Sequence, residues 1–154
     1  MAENQEILSC VTIPVADRQL LLPNVSIAEI VDYAEPEAAD GPEWLHGYLQ
    51  WRGLRLPVVS YEAANGAGSV PPPAGRRGRI AVLNTISEYH DRLPFLALVT
   101  QGIPRQAKVE ASQLQVRDGA ETGPADIMVV NFEGEELTIP SLEYLEKLAA
   151  EAAA

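Results

Sequence analysis

The chain has 154 residues, 22 acidic side chains against 11 Lys plus Arg, and a formal net charge of −11. With 47% apolar residues it can bury a core as one domain or two very small ones, which argues against wholesale disorder. Its acidity opposes binding to phosphate backbones and to anionic membrane surfaces.

The charge is unevenly spread. Residues 1–44 carry nine acids and one base, a net of −8; residues 45–109 carry three acids and eight bases, a net of +5; residues 110–154 carry ten acids and two bases, again −8. A basic middle between acidic ends reads either as a polarised surface or, more economically, as self-complementarity within one fold. The single cysteine, Cys10, sits in an apolar run and reads as a small buried hydrophobe. The N-terminus lacks the basic start and apolar block of a signal peptide, and no stretch approaches the ~18 apolar residues of a membrane helix. The expectation is a reduced, soluble, cytoplasmic protein.

Short apolar runs broken by Gly, Pro and charge dominate the chain. Ile7–Ile13 is β-branched and predicts a strand ended by Pro14. A polar turn at 16–19 leads to a returning strand at Leu20–Leu22, stopped by Pro23. Asn24 either caps a helical turn or shapes a loop, and a strand through Ile30–Tyr33 follows. After an acidic loop at Glu35–Glu43, Gly47–Arg52 and Leu54–Ser60 predict a hairpin around Gly53. Pro57 inside its second strand points to a sheet edge or a bulge. Glu62–Ala64 reads as one helical turn closed by Asn65-Gly66.

Residues 66–78, Gly-rich with Pro71-Pro72-Pro73 at the centre, form the one plausible internal boundary. Strands are then expected at Arg79–Ile86, Pro94–Thr100, Pro104–Val109, Ile127–Phe132 and Glu135–Ile139, the last two joined by Glu133-Gly134. A helix starts near Ser141, with Leu142, Leu145, Leu148 and Ala149 on one face and Glu143, Glu146, Lys147 and Glu151 on the other. Eight to ten short strands without βα alternation suggest small barrels rather than a doubly wound sheet.

Little in the chain reads as catalytic. His46 and His90 lack ligand spacing, Gly68-Ser69-Val70 is no nucleophile elbow, and no phosphate-cradling loop is present. The carboxylates cluster in loops and on the terminal helix, as a solvated face would. Gly75-Arg76-Arg77-Gly78 has the composition of a phosphate clamp, but such a loop joins two helices, whereas here Pro-Pro-Pro precedes it and a strand follows. A nucleic-acid-binding or ribosome-associated SH3-like barrel, using Arg76, Arg77 and Arg79, is the alternative to a protein-binding module. The stretch Gly47–Glu62 is different: it places Trp51-Arg52-Gly53 at a hairpin tip. Arg52 beside Trp51 has the composition of a protein-binding hot spot, and reads equally as a structural arginine pairing an acid across the hairpin.

These residues resemble the CheW-like adaptor domain of bacterial chemosensory systems. The resemblance rests on Leu20–Pro23, Glu29-Ile30 with Ile27 upstream, Gly47 through Arg52-Gly53 to Pro57-Val58, and Leu98-Val99-Thr100-Gln101-Gly102-Ile103. It spans about residues 7–149, and the wording of Trp51–Gly53 and Pro57–Glu62 is similar to ChpC-type members of Pil-Chp systems, which control type IV pili and twitching motility. The resemblance implies a mainly β fold of two intertwined five-stranded SH3-like barrels with a short C-terminal helix at 141–154. The first barrel is expected mainly from 15–66 plus terminal segments, and the second from 79–140. It further implies a non-enzymatic scaffold, without cofactor or metal, coupling chemoreceptor cytoplasmic tips to the regulatory domain of a CheA-type histidine kinase, with no nucleic acid and no direct membrane contact. Glu29 and Arg52 are implied in receptor coupling and in contact with each other. With Ile27, Ile30, Trp51, Val99, Gln101 and Ile103 they make up the expected protein-binding set. The chain departs from the family pattern at Gln50 (usually Asn), Trp51 (usually Leu), Gln101 (usually Asp) and the insert at 66–78.

Overall fold

A computed structural model describes residues 7–16, 18–38, 40–66 and 78–153. Strands β1 (Ile7–Pro14) and β2 (Gln19–Pro23) form the expected first hairpin. A 3₁₀ turn at Asn24–Ser26, which Asn24 opens rather than caps, leads into β3 (Ile27–Asp32). Then come β4 (Leu45–Trp51), β5 (Leu54–Val59), the single turn α1 (Tyr61–Ala64), β6 (Arg79–Asn84), β7 (Phe95–Thr100) and β8 (Arg105–Glu110). A three-residue strand β9 (Leu114–Val116), β10 (Asp126–Phe132), β11 (Glu135–Pro140) and the helix α2 (Leu142–Ala153) complete the chain.

The strands build two sheets, one ordered β8-β1-β2-β11-β10-β9 and the other β3-β6-β7-β5-β4. The second has the five strands expected; the first has six because β9 adds a short edge to β10. Strand pairing divides the chain differently from the expected halves at 15–66 and 79–140. The β4–β5 hairpin joins β6 and β7 through a parallel contact at Val58–Ala97, while β2 joins β11 through Thr138–Leu20. The chain therefore crosses from one sheet to the other between β2 and β3 and returns between β7 and β8. Most of the Gly/Pro segment, residues 67–77, lies outside the described residues.

Two-residue periodicity explains how both faces of each sheet are buried. In β6 and β7, Ile80, Ala97 and Val99 turn into a cluster inside the five-stranded sheet, while Ala81, Leu83, Leu96 and Leu98 face a central core. In β1 and β2, Cys10 and Leu21 line the interior of the six-stranded sheet, and Val11, Ile13, Leu20 and Leu22 face the same central core. Helix α2 seals that core with Leu142, Leu145 and Ala149.

Of the two settings expected for Pro57, an edge or a bulge, the edge is not found: strand β5 is interior, and its pairing with β4 shifts register between Leu45 and Gly47, next to Pro57's partner Tyr48. Pro57 is tolerated because the β7 ladder begins only at Val58, and its partner Tyr48 turns its own N–H and C=O outward to Glu37 (2.9 and 2.8 Å). Glu146, expected on the solvated face of α2, is buried. Its carboxylate accepts the N–H of Ile86 through both oxygens (3.0 and 2.9 Å) and that of Ser87 at 2.8 Å. The loop after β6 leaves those two donors without a strand partner, and a buried carboxylate satisfies them.

Candidate functional site

The β4–β5 hairpin closes through a two-residue turn in which Arg52 has φ 48° and Gly53 φ 79°. Both central residues must be left-handed in such a turn, a conformation free for Gly and costly for a long side chain. Glu133-Gly134 makes the same turn between β10 and β11 (φ 49° and 83°), so a non-glycine first residue is a recurrent solution in this chain. At the other edge of the same sheet, β3 carries a register shift between Ile27 and Glu29, which re-aims the Glu29 side chain.

Strands β3 and β4 are the two edges of the five-stranded sheet and exchange no ladder hydrogen bonds. The twist of the sheet nevertheless brings them together, and Val31 and Leu49 pack on the same interior cluster. At this seam the Arg52 guanidinium donates to Glu29 Oε1 at 3.0 Å, and Trp51 Nε1–H donates to the same oxygen at 3.1 Å. Arg52 Cζ lies 4.9 Å from the centre of the Trp51 ring, and that ring meets Phe95 of β7 edge-on at 4.9 Å and 64°. The Arg52 side chain is 69% exposed and that of Glu29 39%. The arrangement is a solvent-facing acid–base pair on an aromatic base.

Among the described residues, three ion pairs link the acidic first block to the basic middle: Glu29–Arg52, Asp32–Arg79 at 3.7 Å and Glu37–Arg55 at 3.8 Å. Arg55 also lies 3.8 Å over the Tyr48 ring. The alternation of net charge along the sequence is thus in good part internal complementarity. Arg76 and Arg77 lie outside the described residues.

The remaining expected residues fall elsewhere. Ile27 and Ile30 are half-buried against the central core. Val99 is 2% exposed inside the five-stranded sheet, so it cannot touch a partner, because the continuous apolar run of β7 is buried on both faces. Gln101 and exposed Ile103, in the connection between β7 and β8, line an open cleft of about 780 Å³ against β1, β2, β8 and β11 of the six-stranded sheet, with Arg18, Arg105 and Glu135 among its other walls. Gln101 N–H donates to Pro14 O at 2.9 Å, which ties the return crossing to β1.

Beneath one wall of this cleft is a network that sequence reasoning missed. The buried carboxylate of Asp126 receives Arg18 at 2.6 Å, Asn65 Nδ2 at 3.0 Å, Gly123 N–H at 2.9 Å and the Tyr61 hydroxyl. Burial alone would raise its pKa; the hydrogen bonds from Tyr61, Gly123 and Asn65, with the Arg18 charge, outweigh that and hold it below the ordinary carboxylate range. Burial lowers the pKa of His46 against the opposing pull of Glu62, and burial raises that of the Cys10 thiol. Phe95, too, was not singled out in the sequence.

A protein-family model described as CheW-like domain matches residues 9–146. No curated protein matches the sequence. Among solved structures, the crystal structure of the scaffolding protein TtCheW from Thermoanaerobacter tengcongensis has the same fold. Its TM-score is 0.69 at 14% identity, over 88% of this chain and 89% of that one.

Proposed function

The chain belongs to the CheW-like domain family, and from that premise we propose that it is a non-enzymatic chemosensory adaptor. It couples chemoreceptor cytoplasmic tips to the regulatory domain of a CheA-type histidine kinase, in the cytoplasm, within a system that controls type IV pili and twitching motility. The observation that carries the proposal is the Glu29–Arg52 pair, presented to solvent on a strained turn at the seam of the five-stranded sheet. An ion pair this exposed contributes little to stability, so its fixed geometry on an aromatic base is better explained by recognition. Gln101 and Ile103, in the cleft beside the six-stranded sheet, supply a second contact region. Weak contacts of this kind become strong when an array repeats them. The assignment to pilus control is supported by the wording of Trp51–Gly53 and Pro57–Glu62.

The test is capture of purified receptor tips and of the kinase regulatory domain, side by side, by the full chain. The proposal expects both to be retained; failure to retain either partner contradicts it.

A further inference from the structure

We infer that Trp51 is the positioning residue of the Glu29–Arg52 pair and sets its readiness to bind; the inference rests on the adaptor reading above. Three observations carry it. Trp51 Nε1–H and the Arg52 guanidinium converge on one oxygen, Glu29 Oε1, at 3.1 and 3.0 Å. The Trp51 ring lies under the guanidinium, with Arg52 Cζ 4.9 Å from its centre. Phe95 holds the ring edge-on from β7, a strand inside the sheet.

An exposed Arg–carboxylate pair by itself gains little, because ordering two long side chains costs about as much as their attraction returns. Here one neutral donor fixes the carboxylate and one aromatic face fixes the cation, without adding charge. The pair is ordered before any partner arrives, and among the described residues its hydrogen bonds engage Glu29 through Oε1 and Arg52 through Nη2. Ordering in advance lowers the cost of binding. Leu, the residue more usual at this place in the family pattern, has neither an N–H nor an aromatic face.

The substitution Trp51→Phe keeps a smaller aromatic ring beside Arg52 and removes the N–H. Trp51→Leu removes both. In ¹H–¹⁵N NMR spectra of the full chain, the Trp51 indole resonance, assigned by its loss in Trp51→Phe, is expected to shift and lose exchange protection in Glu29→Ala, which removes the acceptor. An indole resonance indifferent to Glu29→Ala overturns the inference without any partner present. With receptor tips as the probe, Trp51→Phe is expected to weaken capture about tenfold or more, the equivalent of one hydrogen bond to a charged group, and Trp51→Leu further. Trp51→Phe should cost nothing more in a Glu29→Ala background. Undiminished capture by Trp51→Phe overturns the positioning role and leaves the adaptor reading standing. A wild-type chain that captures no tips contradicts the adaptor reading, whatever the indole resonance does.

Discussion

Arg52 reaches Glu29 across a seam that no backbone hydrogen bond closes, the two residues lying on opposite edge strands of one five-stranded sheet. The contact therefore depends on sheet twist and on the left-handed turn, and its parts can be separated by mutation. The variant Arg52→Asn puts a residue at home in the left-handed region at the turn. It is expected to fold with a melting temperature equal to or above wild type while receptor-tip capture falls at least tenfold. Calorimetry and a binding titration check the two halves independently.

Glu146 satisfies two backbone donors in the loop after β6. Glu146→Ala leaves both without a partner beneath the helix and is expected to destabilise the chain by about 2–4 kcal/mol. Urea unfolding followed by circular dichroism measures this. A loss under about 0.5 kcal/mol, the range of an ordinary surface change, would mean that water replaces the carboxylate.

Asp126 gives a pH signature. Its folded-state pKa lies below the unfolded value, so its contribution to stability is complete above the unfolded pKa and is lost as pH falls through the folded one. The stability difference between wild type and Asp126→Asn should be constant from about pH 7 to about pH 5 and shrink progressively below about pH 4. Urea midpoints across that range report it. A difference that grows on acidification contradicts the assignment.

Gly47 permits the acidic loop to lie on the β4 edge. Its φ is 145°, and a Cβ there would sit 2.1 Å from the Glu37 carbonyl oxygen. Gly47→Ala is expected to break the Glu37–Tyr48 backbone pair and cost about 1–3 kcal/mol. Exchange protection of the Tyr48 amide should be lost before that of β6 and β7.

How much of this was legible in the sequence depends on how local the cause is. The turn at Gly53, the one at Glu133-Gly134, the Asn65-Gly66 stop and the start of α2 are each dictated by a few neighbouring residues, and the structure places them where they were expected. The partition into sheets was not legible, because the parallel contacts at Val58–Ala97 and Leu20–Thr138 join segments about 40 and 118 residues apart with no turn chemistry to announce them. Glu146 obeys the helical period of a polar face, yet the loop it caps comes from 60 residues earlier. The pairing of Glu29 with Arg52 came from family resemblance rather than from spacing. Trp51, read as one anchor among several, is bonded to Glu29, and its support, Phe95, carries no periodic signal toward it. Val99 entered the expected protein-binding set by resemblance, although a continuous apolar run such as Phe95–Val99 is the ordinary mark of burial on both faces.

The most direct measurement of the central claim compares receptor-tip capture by the wild-type chain and by Arg52→Glu, each with its melting curve. The account predicts that Arg52→Glu melts close to wild type, since an exposed pair contributes at most about 1 kcal/mol, and that it retains no tips. Capture equal to wild type with an unchanged melting curve would contradict it and leave Arg52 a residue of the turn alone.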